Sequence, residues 1–236
     1  MLSDVPNGPL GNGEDLVRSL AASSIEAGRP VDWYEELYAA ADAGGVAVPW
    51  DHRVPTPLLV DWFESHLVHG APSGRAIVVG CAYGDDAELT ASYGFPTTAF
   101  DISPSAVATA ERRNPDSTVR YVQADLLDLP DQWRHGFDLV IECTTVQSIT
   151  PTLHRAAAAA VASLCAIGGT VVVVARNAME HGSPGPPWLL TAEEIHYFSV
   201  GGLKLELLET VAAHGGARWR AQLRRPLDRV GDHVSS

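Results

Sequence analysis

Between residues 75 and 175 the chain alternates short apolar runs with amphipathic stretches. Residues 75–80, 97–101, 119–123, 137–142 and 170–175 read as strands, the last the most β-branched. Residues 86–93, 104–113 and 154–166 read as helices between them, the last Ala-rich and closed by Gly168–Gly169. Nearly continuous apolar strands separated by helices predict a parallel sheet covered on both faces. After a helix over 191–198, residues 203–212 and 219–226 form two more strand patterns. Their short connection, 214–217, predicts an antiparallel hairpin at a sheet edge. The expected class is α/β: a doubly wound, mostly parallel seven-stranded sheet with a C-terminal antiparallel hairpin.

The first third has a different texture. Residues 31–43 carry Trp33, Leu37 and Tyr38 as one apolar stripe among acids, and Gly44–Gly45 ends that helix. A Pro-punctuated loop over 48–57 leads into a helix over 58–67. The organisation this implies is a flexible N-terminal tail over 1–28, of which 14–27 is weakly helical, and a helical cap or lid over 29–72. A ligand-binding domain over 73–227 and a flexible tail over 228–236 complete it.

Composition narrows the partners. The 236 residues hold 16 Lys and Arg against 29 Asp and Glu, a net charge of −13. No basic cluster exceeds Arg224–Arg225, so nucleic-acid and anionic-membrane partners are excluded. Three widely spaced cysteines, Cys81, Cys143 and Cys165, offer no metal-ligand spacing and read as reduced, buried thiols. No metal site is expected. The polar, Pro- and Gly-rich opening lacks the apolar core of a signal peptide, and no apolar run reaches membrane-spanning length. A cytoplasmic enzyme, monomeric or homodimeric, is the expectation.

The chemistry concentrates at strand ends. Ile77-Val78-Val79-Gly80-Cys81-Ala82-Tyr83-Gly84-Asp85-Asp86 runs from a strand through a small-residue loop into a helix, where an open α/β sheet binds its ligand. Gly80 and Gly84 allow sharp turns and close ligand approach. The dinucleotide pattern G-x-G-x-x-G fails here, with Ala82 and Asp85 in its second and third places. Asp85 and Asp86 occupy the positive helix end as caps and dipole partners, and they would repel a pyrophosphate. That argues against a nicotinamide oxidoreductase and for a cationic ligand without phosphate.

Asp101 ends the second strand, where an acid accepts from both ribose hydroxyls. Ser103 and Pro104 follow as N-cap and first helical residue. Asp125, after the third strand, is placed to accept from an adenine amino group, with Leu126 packing on the ring. Glu142, ending the fourth strand, is a candidate for a ligand ammonium or for the acceptor site. His52 and His181, in Pro- and Gly-rich loops, are candidate bases, and Arg176 a candidate for steering an anionic acceptor. Trp50 and Trp188 are the candidate lid aromatics.

The ordered series VVGCAYG, AFDIS, QADLLDLP, FDLVIE and IGGTVVVVAR, over roughly 75–176, resembles the motif set of class I S-adenosylmethionine (SAM)-dependent methyltransferases, which have a Rossmann-like fold. Pro49-Trp50-Asp51 with Pro55-Thr56-Pro57-Leu58-Leu59 resembles the N-terminal segment of the thiol and halide methyltransferases. Gly185-Pro186-Pro187-Trp188 with Thr191-Ala192-Glu193-Glu194-Ile195 resembles a segment of the thiopurine S-methyltransferases. The resemblance implies SAM as cofactor, held by Gly80, Cys81, Gly84, Asp101, Ile102, Asp125, Leu126, Glu142 and Cys143, with Trp33 or Tyr38 closing over it. It implies Trp50, and by position Trp188, beside a small-molecule acceptor that is methylated on S, O or N by in-line displacement. A SAM-binding fold put to non-methylating use, as a cyclase or a binding module, is the alternative. Two departures stand out. Ala82 replaces the usual Gly, which its methyl group tolerates only at negative φ. Cys143 stands where the thiopurine enzymes carry Arg.

Overall fold

The computed structural model describes residues 11–66, 74–178, 185–213 and 216–227. Its elements are α1 (Gly11–Glu26), α2 (Trp33–Asp42), α3 (Pro57–His66), β1 (Ala76–Val79), α4 (Asp85–Ser92), β2 (Thr97–Asp101), α5 (Pro104–Arg113) and β3 (Arg120–Gln123). They continue with β4 (Phe137–Cys143), α6 (His154–Leu164), β5 (Cys165–Arg176), α7 (Ala192–Ile195), β6 (Lys204–Ala213) and β7 (Gly216–Arg224). The seven strands pair in the order β3-β2-β1-β4-β5-β7-β6. β1 to β5 run parallel, while β7 is antiparallel to both β5 and β6. The order reverses at β1, so the carboxyl ends of β1, β2 and β4 meet at the crevice where such sheets take ligands.

The strands are apolar because both faces are covered. All four residues of β1 are buried. One face packs Ile77, Phe100, Val140 and Val171 against α6 and the segment after α7. The other packs Val78, Leu139, Ile141 and Val172 against Leu59, Trp62 and Phe63 of α3 and Ala87 of α4. A third cluster, from Val17, Ala21, Trp33, Leu37, Tyr38, Val48, Tyr83 and Ala106, lies beneath the N-terminal helices.

Two organisational expectations need correction. Residues 11–26 are a helix and not tail, because Val17 and Ala21, four apart on one helix face, bury against the α2 cluster. The cap does not extend through α3 either. Its buried stripe docks on the sheet, and the Trp62 indole donates to Gln222 Oε1 on β7 at 2.9 Å. Further differences are local. The predicted 191–198 helix is a four-residue α7 opened by a Thr191–Glu194 capping box and followed by a 3₁₀ turn, His196–Phe198. β5 starts at Cys165 and absorbs Gly168–Gly169, since α6 stops at Leu164. The expected tail over 228–236, and residues 1–10 and 67–73, lie outside the described residues. Among those described, no helix is long and apolar enough to cross a membrane.

Candidate active site

The loop after β1 is shaped by two glycines and strained at one alanine. Gly80 sits at φ +59°, where a Cβ would lie 2.3 Å from Thr145 Oγ1. That hydroxyl donates to the Val79 carbonyl at 3.0 Å and pins β1 to the turn after β4. Gly84, at φ +97°, is the N-cap of α4 and has the Tyr121 hydroxyl against its α-carbon. Ala82 lies at φ +47°. The negative φ that would accommodate its methyl is therefore not adopted, and the residue carries a left-handed cost of roughly 1–2 kcal/mol. In return the Ala82 N–H donates to Asp101 Oδ2 at 2.9 Å.

Asp101 is buried at the end of β2, with Oδ1 accepting from the Ser103 N–H at 3.0 Å. Burial pushes its carboxyl up, and hydrogen bonds from the Ser103, Ala82 and Ile102 N–H groups oppose the shift. Ser103 caps α5 as the sequence predicts, accepting from the Ala106 N–H. Its hydroxyl also donates to Glu35 Oε2 at 2.5 Å, and Ser105 donates to the same carboxylate. Burial works against the Glu35 charge, but these serine bonds outweigh it and hold its carboxyl below the ordinary range. Glu35 thus fastens α2 across the start of α5, a link invisible in the sequence because Glu35 reads there as one more exposed acid.

That fastening brings the aromatic cap over the strand ends. Trp33 and Tyr38 are buried, and Trp50 remains 37% exposed. The Trp50 indole donates to the Tyr38 hydroxyl at 2.8 Å, and the Tyr34 hydroxyl donates to the Ser148 carbonyl at 2.6 Å. Edge-to-face contacts join Trp33 to Trp50 and Tyr38 to both Trp50 and Tyr83. Burial and the Asp101 charge push the Tyr34 and Tyr38 phenols and the Cys81 thiol upward, so all three stay protonated near neutral pH.

The acid pair at the start of α4 does not act as read from the sequence. Neither residue caps the helix, whose N-cap makes no side-chain bond. Asp86 instead accepts from the Thr56 N–H at 2.7 Å and the Thr56 hydroxyl at 2.9 Å. Burial pushes its carboxyl up against those bonds and one from Cys143. Asp85 alone stays at the front, partly buried and facing Asp51, Arg113, Arg53 and His52.

Glu142 and Cys143 point to opposite faces of β4. Glu142 is wholly buried, and its Oε1 accepts from the Val146 N–H at 2.8 Å. Oε2 has no hydrogen-bond partner within the protein, and burial raises the carboxyl to about 7. It is not a solvated loop acid. The Cys143 thiol is pushed well up by burial, Asp86 and Glu142.

The remaining candidates are scattered. Asp125 Oδ1 accepts from the Leu127 N–H, closing a turn at 2.8 Å. Leu126 is buried in the core cluster that includes Phe100 and Trp133. Ile102 is half-buried beside Asp101. The Trp188 N–H donates to the Gln147 carbonyl, and its ring lies against Gly185. The Arg176 N–H donates to Gln147 Oε1. His52 is exposed, and His181 lies outside the described residues. All three cysteines are free, and no group of three metal-ligating side chains occurs among the described residues.

A sheet in this order, with a buried acid at the end of β2 under an aromatic cap, has the Rossmann-like fold seen in class I SAM-dependent methyltransferases. Residues 76–169 match the family model of a methyltransferase domain, and the chain is a SAM-dependent methyltransferase. It is 29% identical over 193 residues to thiocyanate methyltransferase 1 of Arabidopsis thaliana, spanning 77% of this chain and 76% of that one. Among solved structures, one described as "Conversion of a Disulfide Bond into a Thioacetal Group during Echinomycin Biosynthesis" superposes with a TM-score of 0.67. That match has 21% identity and covers 83% of this chain and 94% of the other. The N-methyltransferase NodS of Bradyrhizobium japonicum WM9, in complex with S-adenosyl-L-homocysteine, superposes at 0.61 with 21% identity, covering 75% and 92%.

Proposed function

We propose that the chain methylates a small sulfur nucleophile of the thiol or thiocyanate class. The observation that carries this reading is the protonation pattern under the cap: Tyr34, Tyr38 and Cys81 are all held neutral beside Asp101, so none is a base. A low-pKa thiol or thiocyanate arrives already nucleophilic and needs no proton acceptor from the protein, whereas an alcohol or a protonated amine must first lose a proton. The name of the Arabidopsis thaliana relative points the same way.

The residues suit the cofactor. Asp101 has lone pairs left for ribose hydroxyls beyond its two backbone bonds. The buried, unpaired Glu142 Oε2 is an acceptor waiting for an ammonium. Gly80, Cys81 and Gly84 bring backbone close, and Ile102, Asp125 and Leu126 border the adenine end. Bound SAM supplies a methyl group already activated on a sulfonium. The protein's task is alignment. Trp33 and Tyr38 close the cofactor side, and Trp50 and Trp188 line the acceptor side and exclude water. His52, His181 and Arg176 are assigned no step. The enzyme acts in the cytoplasm as a monomer or homodimer on a small-molecule acceptor.

The test is formation of S-adenosyl-L-homocysteine with thiocyanate, hydrosulfide and thiophenol against phenol and aniline. Turnover is expected with the sulfur nucleophiles and to fall off with rising thiol pKa. Preferential turnover of phenol or aniline would overturn the reading, as would tight SAM binding with no turnover of any of them.

A further inference from the structure

The segment joining α2 to α3 is a strap tied at three points. Trp50 is bonded to Tyr38. Thr56 is bonded to Asp86 through both its N–H and its hydroxyl. Between them Asp51 meets Arg113, the last residue of α5, in a two-pronged pair at 2.8 and 2.7 Å. Only the short stretch His52–Val54 between the Asp51 and Thr56 ties stands exposed.

The Arg113 guanidinium does two things at once. It grips Asp51, and it stacks over the Tyr83 ring with its carbon 4.0 Å from the ring centroid. Tyr83 follows Ala82, whose N–H holds Asp101, so the same cation touches both the strap and the cofactor loop. The pair is largely shielded, at 23% and 15% side-chain exposure. The Arg113 bond and charge hold the Asp51 carboxyl below its ordinary range against the effect of burial. The neighbouring pair Arg112–Asp42 joins α5 to α2 as well, but its side chains are 54% and 49% exposed, where water screens the interaction.

We propose that Arg113 is a positioning residue. Through Asp51 it sets Trp50 against Tyr38, and through Tyr83 it sets the loop that presents Ala82 to Asp101, so one guanidinium keeps the acceptor side and the cofactor side in register. The proposal rests on the reading that Trp50 lines the acceptor side. Arg113 itself touches neither ligand.

The experiment compares the parent with Arg113→Lys, which keeps the charge but loses the planar fork, with Asp51→Asn, and with the reversed pair Asp51→Arg/Arg113→Asp. Arg112→Ala is the control. Two readouts are taken. One is acrylamide quenching of Trp50, obtained as the difference between each protein and its Trp50→Phe counterpart with no ligand present. The other is KM and kcat for the best acceptor. Arg113→Lys and Asp51→Asn are expected to raise the Trp50 quenching constant about twofold and the acceptor KM about tenfold, with kcat changed far less. The reversed pair is expected to recover more than half of both effects, and Arg112→Ala to leave them unchanged. Unaltered Trp50 quenching in the single variants would overturn the proposal. So would a fall in kcat and thermal stability without the KM shift, or no recovery in a reversed pair with native circular dichroism. If Arg113→Lys does not fold, Asp51→Asn decides. If no sulfur acceptor is turned over, the acceptor reading fails by itself, and the ligand-free quenching still decides the role of Arg113.

Discussion

Asp101 and Glu142 stand at the carboxyl ends of the two strands that flank β1, and both are buried acids beside the same loop. Their hydrogen bonding differs. Asp101 has a backbone N–H on each oxygen, one from the β1 loop and one from the start of α5. Glu142 has one oxygen held and the other without a protein partner, and its carboxyl sits at about 7. One has both oxygens held by backbone donors and organises the loop around it. The other is an adjustable charge, poised to ionise when a cation comes to its vacant oxygen.

The largest expected effect tests the fixed side. Asp101→Asn puts an amide where two N–H donors point and removes the ribose acceptor. Calorimetry should show affinity for S-adenosyl-L-homocysteine falling roughly 10- to 100-fold. A change under threefold would break the comparison. Next is Glu142→Gln, expected to weaken the same ligand about tenfold through loss of the ammonium partner. Pairing with a cation lowers the Glu142 carboxyl, so binding near pH 7 should release part of a proton in the parent and none in the variant. Calorimetry in buffers of different ionisation enthalpy reads this directly, and buffer-independent heats in the parent would refute the pairing.

A third expectation concerns stability without ligand. The folded Glu142 value of about 7 lies above its ordinary 4.5. The protonated carboxyl therefore stabilises the fold fully below about pH 4.5, and that contribution is lost as pH rises through about 7. Glu142→Gln should flatten this part of the stability profile and raise Tm at pH 8 by a few degrees, on the order of 1–3 kcal/mol. Equal pH slopes in parent and variant denaturation curves would contradict it. The smallest effect is expected at Ala82→Gly. Releasing a side chain from φ +47° gains roughly 1–2 kcal/mol, and the greater freedom of glycine when unfolded offsets part of it, leaving a net of at most about 1 kcal/mol. Tm should rise by no more than a few degrees, with ligand affinity kept because the N–H to Asp101 remains. A marked loss of affinity would show that the alanine methyl itself serves the site.

Much of the sheet was legible because its signals are local. Apolar runs marked all seven strands, and Ser103–Pro104 marked the start of α5. The acids Asp101 and Glu142 were found because strand ends can be read from periodicity. What escaped was every tie between distant segments: Glu35 to Ser103 and Ser105, Asp51 to Arg113, Thr56 to Asp86, Tyr34 to Ser148. Asp85 and Asp86 are adjacent and chemically alike, so the sequence treats them as one acidic helix start. Only the approach of the strap shows that Asp86 is committed to Thr56 while Asp85 is not. Leu126 reads in the sequence only as the neighbour of Asp125, and the structure adds that its side chain is buried in the cluster with Phe100 and Trp133.

By itself, the sequence determined the class of the sheet, the position of the crevice and the identity of the acids at its strand ends. Each of these follows from residue type and from spacing within a few neighbours. The tertiary structure decided which acids keep a free oxygen, which helices form the cap, and which cation holds the cap in place. Those outcomes depend on burial and on partners tens of residues away, where a hydrogen bond or a desolvated charge takes its value from what surrounds it and not from what precedes it in the chain.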